Sequence, residues 1–495
     1  MKVLRVSFQF VAAVILSLFS MGGVSNAATD HSALMKGPFK NGEEVTKACL
    51  ECHEKEADAV MQTPHYRWKG VPRTVKGLEN SKEEYGKANL INNFCTSVEG
   101  GSIQFCDKCH PSYGWVDKSF NFKDKTKIDC LVCHAKAGNY RKGPTGEPDK
   151  ALLEHGKMDL VKAAQSVSLP NRDNCGSCHF NGGGADAVKH GDLDTTLSKP
   201  THDHDVHMSK PVDMPCQGCH VAKDHKIAGA STFMATNDGR VSCEDCHRDP
   251  HKNTEVAKVL ARHTKTVACQ TCHIPAFARG QATKMSWDWS TAGKDNVEPE
   301  EQFGKENYMK IKGTFVWGKD IVPAYTWYDG KIERYLKGQK IADPKKTTYI
   351  SKPAGDIKDP NSKIFPFKIH TGKQPMDSEN KYLSIFQNYD GFWKHFDWQK
   401  ALTDGSKASG LAFSGKFEFV PTAVYGSINH EVAPKEQALK CGDCHFDGKR
   451  LDWKALGYAG DPMRVGGRFA GQKGKEKNKK AEEKPETPSK KIAKT

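Results

Sequence analysis

The segment CGSCHFNGGGADAVKHGD, residues 175–192, holds a Cys-x-x-Cys-His unit and, ten residues past its histidine, the pair Lys189-His190. The first five residues decide the architecture, because they recur. Of 17 cysteines, 16 fall into eight copies of this unit: Cys49/Cys52/His53, Cys106/Cys109/His110, Cys130/Cys133/His134, Cys175/Cys178/His179, Cys216/Cys219/His220, Cys243/Cys246/His247, Cys269/Cys272/His273 and Cys441/Cys444/His445. This is the attachment pattern of c-type haem, in which the two thiols bond the vinyl groups and the histidine becomes the proximal iron ligand. Zinc sites also use Cys-x-x-Cys but do not need a histidine at the next position. Disulfides in an exported chain would not impose a fixed five-residue unit. The cofactor expectation is therefore eight covalently bound haems c; calcium is compatible with the chain, but no pattern in it identifies calcium ligands.

The length of 495 residues alone would suggest two or three domains, and the hydrophobic content of 37% is low for such a chain. Haems would supply the missing core. The expected fold is mainly α, with short helices at the motifs, extensive irregular loops and little sheet. Within a body spanning residues 28–470, residues 28–105 carry one motif and the odd cysteine, Cys95, and residues 106–273 carry six. Residues 274–440 carry none but hold six of the nine tryptophans, in SWDWSTAG, TFVWGKD, YTWYDG and GFWKHFDW, and are expected to cover the haem cluster. The eighth motif closes the body, and the Lys/Glu/Pro-rich stretch 471–495 reads as a disordered tail.

Lys2 and Arg5, an apolar run from Val11 to Val24 and the small residues Ser25-Asn26-Ala27 read as a signal peptide over 1–27, which implies a periplasmic protein. The formal charge of +14 invites a nucleic-acid reading. Setting aside Lys2, Arg5 and the tail's nine lysines and four glutamates leaves +7, which the haem propionates would outweigh. No nucleic-acid partner is expected.

Electron-transfer haems take a second strong axial ligand, whereas a haem that does chemistry needs a distal position that substrate can reach. Of 21 histidines, eight are proximal. The distal candidates are His65, His190, His207, His225, His251, His263 and His430, seven for eight irons. Of His31, His155, His202, His204, His370 and His395, most read as surface residues, and His370, in PFKIHTGKQP, has no assigned role. A neutral lysine can also bind iron once desolvation and the metal lower its pKa, so Lys189 is a ligand candidate against the plain alternative of a solvated lysine. Were ADAVKHGD helical, Asp186 would share a face with Lys189.

The chain resembles the octahaem tetrathionate reductase family from about Gly37 to Met463. The resemblance rests on GPFKNGEEVTKACLECH, NNFC, CHPSYGW, IDCLVCH, NCGSCHFNGGGADAVKHGDLD, DVHM, CQTCHIPAFARG, TKMSWDWSTAG and INHEVAP. It implies seven bis-histidine haems and one active-site haem, held by Cys106, Cys109 and His110, with Lys189 as distal ligand and Cys95 and Asp186 lining the pocket. It further implies a periplasmic reductase that takes electrons from a periplasmic or membrane-bound donor and reduces tetrathionate, nitrite or hydroxylamine. The rival reading is a non-catalytic eight-haem electron carrier. An octahaem hydroxylamine oxidoreductase would need a crosslinked tyrosine, for which no matching context is seen. A pentahaem-type nitrite reductase would carry Cys-x-x-Cys-Lys, which is absent.

Overall fold

A computed structural model describes residues 30–92, 97–229, 231–233 and 239–468. The signal-peptide segment, Cys95 and the basic tail lie outside the described residues.

The motif-bearing parts are built from very short helices. The longest helix among the described residues, Gly42–Met61, starts at Asn41, whose side chain accepts from the Glu44 N–H, while the Glu44 carboxylate accepts from the Lys40 N–H. It carries the first motif and departs from helical geometry at His53. Most other motifs sit on single turns, as in Leu131–His134, Cys243–Cys246, Cys269–His273 and Cys441–Cys444. One turn suffices, because cysteines three apart project to the same side of a helix. The motif spacers help to close these turns: Asp245 accepts from the Ser242 N–H and Asp443 from the Lys440 N–H. No helix among the described residues is long and apolar enough to cross a membrane.

The expectation of little sheet agrees only weakly with the structure. Residues 283–427 form a nine-stranded mixed sheet. Its main path runs Tyr308–Met309, Gly313–Gly318, Thr283–Asp288, Lys363–Asp377, Phe417–Ser427, Thr348–Pro353, Ile332–Arg334, and Ala324–Tyr328 and Tyr382–Leu383 also pair with the long strand Lys363–Asp377. That strand pairs antiparallel with Phe417–Ser427 over eleven residues and parallel with Thr283–Asp288. The motif-free segment attaches no macrocycle of its own and builds a conventional apolar core. Trp287, Trp289, Phe315, Phe386 and Phe392 are buried together there, with Trp398 stacked on Phe392 at 4.0 Å. The segment also covers the haem-motif region, since Ile350, Ser351, Val424 and Ser427 of the sheet line the cavity beneath the motifs.

Candidate redox site

Seven motif histidines face a second histidine across a nearly constant gap. The ring centroids are 6.3 Å apart for His53–His31, 6.2 Å for His134–His225, 6.1 Å for His179–His65 and 6.3 Å for His220–His430. They are 5.9 Å apart for His247–His207, 6.2 Å for His273–His251 and 6.1 Å for His445–His263. Two imidazoles bonded through nitrogen to one metal at roughly 2.0–2.1 Å have centroids roughly 6 Å apart, so each pair fits an iron between its rings. Several rings are also oriented from behind. Nδ1 of His134 donates to the Ser168 carbonyl (2.9 Å), that of His220 to Ala228 (3.0 Å) and that of His263 to Val259 (2.9 Å). A proton held on Nδ1 leaves Nε2 with its lone pair for a metal. A cavity of about 3400 Å³ runs past the cysteines of the first five motifs. It is several times larger than a pocket for one small ligand, which spans roughly 300–1,000 Å³, and it suits a cluster of macrocycles.

Contacts between cysteines give the order of the motifs in space. Cys49 contacts Cys130, Cys175 contacts Cys216, and Cys243 contacts Cys269. Cys133 lies within electrostatic reach of Cys175, Cys219 of Cys246, and Cys272 of Cys441. The line therefore runs through the first, third, fourth, fifth, sixth, seventh and eighth motifs. The second motif joins from the side, through Cys109 on Cys178 of the fourth.

The second motif also differs in its histidine. His110 is fully buried, and its ring neighbours among the described residues are Tyr66, Trp68, Trp115, Phe120 and Phe122, with no other histidine. Its Nδ1 lies 2.6 Å from the Ser112 hydroxyl and 3.5 Å from Asp107, and its Nε2 sits against the Tyr66 carbonyl. Burial pushes the Asp107 carboxyl up to about 7 despite the nearby charge of Lys142.

The segment around Lys189 is a chain of turns and not a helix, because Ala187 takes a left-handed φ of +57°. Asp186 therefore does not share a helical face with Lys189. Its carboxylate accepts from the Thr195 N–H (3.1 Å), the Thr195 hydroxyl and Gln281 (2.7 Å). Lys189 lines the large cavity together with Cys106 and Cys109, its amine 4.7 Å from the centre of the Phe233 ring. The structure does not bring Lys189 face to face with the His110 ring as it brings the histidine pairs together. His190, expected to be a distal ligand, faces no histidine ring; it packs edge-on against Phe233 at 5.2 Å and lines the cavity beside Lys189. His31, expected to be a surface residue, occupies the seventh pair instead. No motif or spacing distinguished it from the other unassigned histidines.

Two buried side chains missed in the sequence hold this region together. Lys368 donates to the carbonyls of Val188 (3.1 Å) and Lys189 (3.2 Å) and to the Thr283 hydroxyl (2.6 Å), and burial brings its ammonium down to about 7. Asp192 accepts from the N–H groups of Asn429 (2.6 Å) and His430 (2.9 Å) and from His430 Nδ1 (3.2 Å). Of the remaining histidines, His204 pairs with buried Glu431 at 3.1 Å, His370 is buried in the long strand, and His155 and His202 are exposed. Among the described residues the one group of three His, Cys, Asp or Glu side chains close enough to share a metal is Cys243, Glu244 and Cys269, and its cysteines belong to haem motifs.

The bacterial cytochrome c family model matches residues 284–448, and that of cytochrome c7 and related cytochromes c matches residues 200–284. Together with the paired histidines these matches define a multihaem cytochrome c. The chain is 45% identical to an octahaem cytochrome c from Shewanella oneidensis of known crystal structure, with a TM-score of 0.80, covering 88% of this chain and 98% of that one. An uncharacterised protein of Archaeoglobus fulgidus is 23% identical over 42% of this chain and 84% of its own length. The chain belongs to the multihaem cytochrome c family, and its role is electron transfer through covalently held haem.

Proposed function

We propose that the protein is an exported reductase in which seven bis-histidine haems pass electrons to an eighth, held by Cys106, Cys109 and His110, with Lys189 as its second axial ligand. The observation that carries this reading is the count of facing rings. Seven motif histidines meet a second histidine at 5.9–6.3 Å and His110 meets none. A haem at such a site supplies a one-electron iron couple whose distal side a small molecule can approach. The substrate classes are those of the resembling family: tetrathionate, nitrite and hydroxylamine. The cysteine contacts support a relay along the other seven motifs that branches to the second motif at the fourth.

Each nearby residue has a share in this reading. Lys368 fixes the carbonyls on either side of the Lys189 peptide, so the amine is presented from a clamped backbone. Lys189 and His190 line the cavity, as do Lys87, Lys108 and Lys142 around the second motif, and groups of this kind can pass protons to a reduced substrate. Asp186, bound to Thr195 and Gln281, supports the turn. For His110 to bind iron its Nε2 must leave the Tyr66 carbonyl. Cys95 keeps its proposed place as a pocket thiol for sulfur substrates, and the electron donor is a periplasmic or membrane-bound redox protein. The rival reading, a non-catalytic carrier, is favoured by the closed aromatic surround of His110.

Turnover of the purified holoprotein with reduced viologen, given tetrathionate, nitrite and hydroxylamine separately, separates the two. Turnover abolished by Lys189→Ala with haem content retained supports the reductase. No turnover with any of the three supports the carrier.

A further inference from the structure

We propose that Asp461 and Asp192 are positioning residues that set haem potentials, making the haems of the eighth and fifth motifs the low-potential members of the relay. Five of the paired histidines have an Nδ1 partner of one of two kinds. His134, His220 and His263 donate to neutral backbone carbonyls. His445 donates to Asp461 at 2.6 Å and His430 to Asp192 at 3.2 Å. A carboxylate draws the Nδ1 proton toward itself, leaves more electron density on Nε2 and makes the imidazole a more basic ligand. A more basic ligand, with a negative charge behind it, stabilises Fe(III) over Fe(II) and lowers the potential of the couple.

Both carboxylates are built in and not merely nearby. Asp461 caps the short helix Pro462–Val465, accepting from the N–H groups of Met463 (2.9 Å) and Phe446 (2.7 Å), so its oxygens are aimed by backbone. On the other side the Trp453 indole stacks on the His445 ring, with centroids 5.3 Å apart and 20° between planes, which fixes the imidazole against that carboxylate. Asp192 is 2% exposed and holds the backbone of Asn429 and His430 as well as the ring. The third motif is the internal reference: its His134 is backed by a carbonyl and would titrate at higher potential.

The inference requires that His445 and His430 bind iron, and it is independent of Lys189 and of any substrate. The test is a mediated redox titration of the full-length holoprotein, followed by visible and electron paramagnetic resonance spectra. In Asp461→Asn a single haem's share of the signal should shift, that haem being about tenfold more reduced at its wild-type midpoint, about 59 mV for a one-electron couple. Asp461→Glu, which keeps the carboxylate, should restore the low value. Asp192→Asn should move a different single component upward, and it carries the same test if Asp461→Asn fails to mature. A fully haem-loaded variant of either residue to asparagine with every midpoint unchanged overturns the proposal.

Discussion

The second motif and the seven others share the same five-residue unit but differ in what surrounds the histidine. Seven rings each look across about 6 Å at another imidazole. His110 is packed against Trp68 at 4.8 Å and Trp115 at 4.6 Å. The seven lie on one line of neighbouring motifs, whereas the second is a branch. An attachment motif therefore specifies only that a haem is bound there. Whether that haem relays electrons or does chemistry is decided by residues far away in sequence, such as His225 for motif histidine His134 or His430 for His220.

The largest expected effect comes from removing the residue proposed to make the second site different. Lys189→Ala should lower viologen-driven turnover on the order of a hundredfold with haem content unchanged, and Lys189→His should give an eighth bis-histidine spectrum and also lose turnover. Undiminished activity in either variant would erase the distinction between the two kinds of site.

The next comparison is between the two histidines that exchanged places. His31→Ala should turn one low-spin haem high-spin, because it removes the ring facing His53, while His190→Ala should leave the seven bis-histidine signals intact. Spin counting by electron paramagnetic resonance separates them, and the reverse pattern would return His190 to the relay. A smaller effect is expected at Lys368. Lys368→Met leaves the carbonyls of Val188 and Lys189 without their buried donor and should cost about 1–3 kcal/mol, seen as a lower denaturation midpoint. Smallest and most selective, Cys95→Ala should weaken tetrathionate turnover more than nitrite turnover; equal losses would argue against specific sulfur chemistry.

The motifs were fully legible in the sequence because haem attachment is local: two thiols and an imidazole on one helical turn. Histidines that face a motif histidine are legible where their sequence context is distinctive, as for His65 in TPHYRW and His430 in INHEVAP, but His31 is not, since pairing it with His53 depends on tertiary packing. His190 differs for a related reason, since its place against Phe233 is also set by tertiary packing, and the left-handed Ala187 removes the helical face on which Asp186 would join Lys189. The sheet is hard to read from the sequence because its longest strand, KIFPFKIHTGKQPMD, contains two prolines and polar residues that read as loop. In the structure Lys368, His370 and Gln374 of that strand are buried, so its alternation does not separate an apolar face from a wet one. The carboxylates behind His430 and His445 left no local signal, since Asp192 lies 238 residues from the first ring and Asp461 lies 16 from the second.

The most direct test of the central claim is the ligation of each haem in the purified holoprotein, read by electron paramagnetic resonance and near-infrared magnetic circular dichroism before and after Lys189→Met. The account predicts seven bis-histidine signals in both proteins and one histidine–amine signal that is lost only in the variant. Identical spectra from the two proteins, or an eighth bis-histidine haem in the native one, would contradict it.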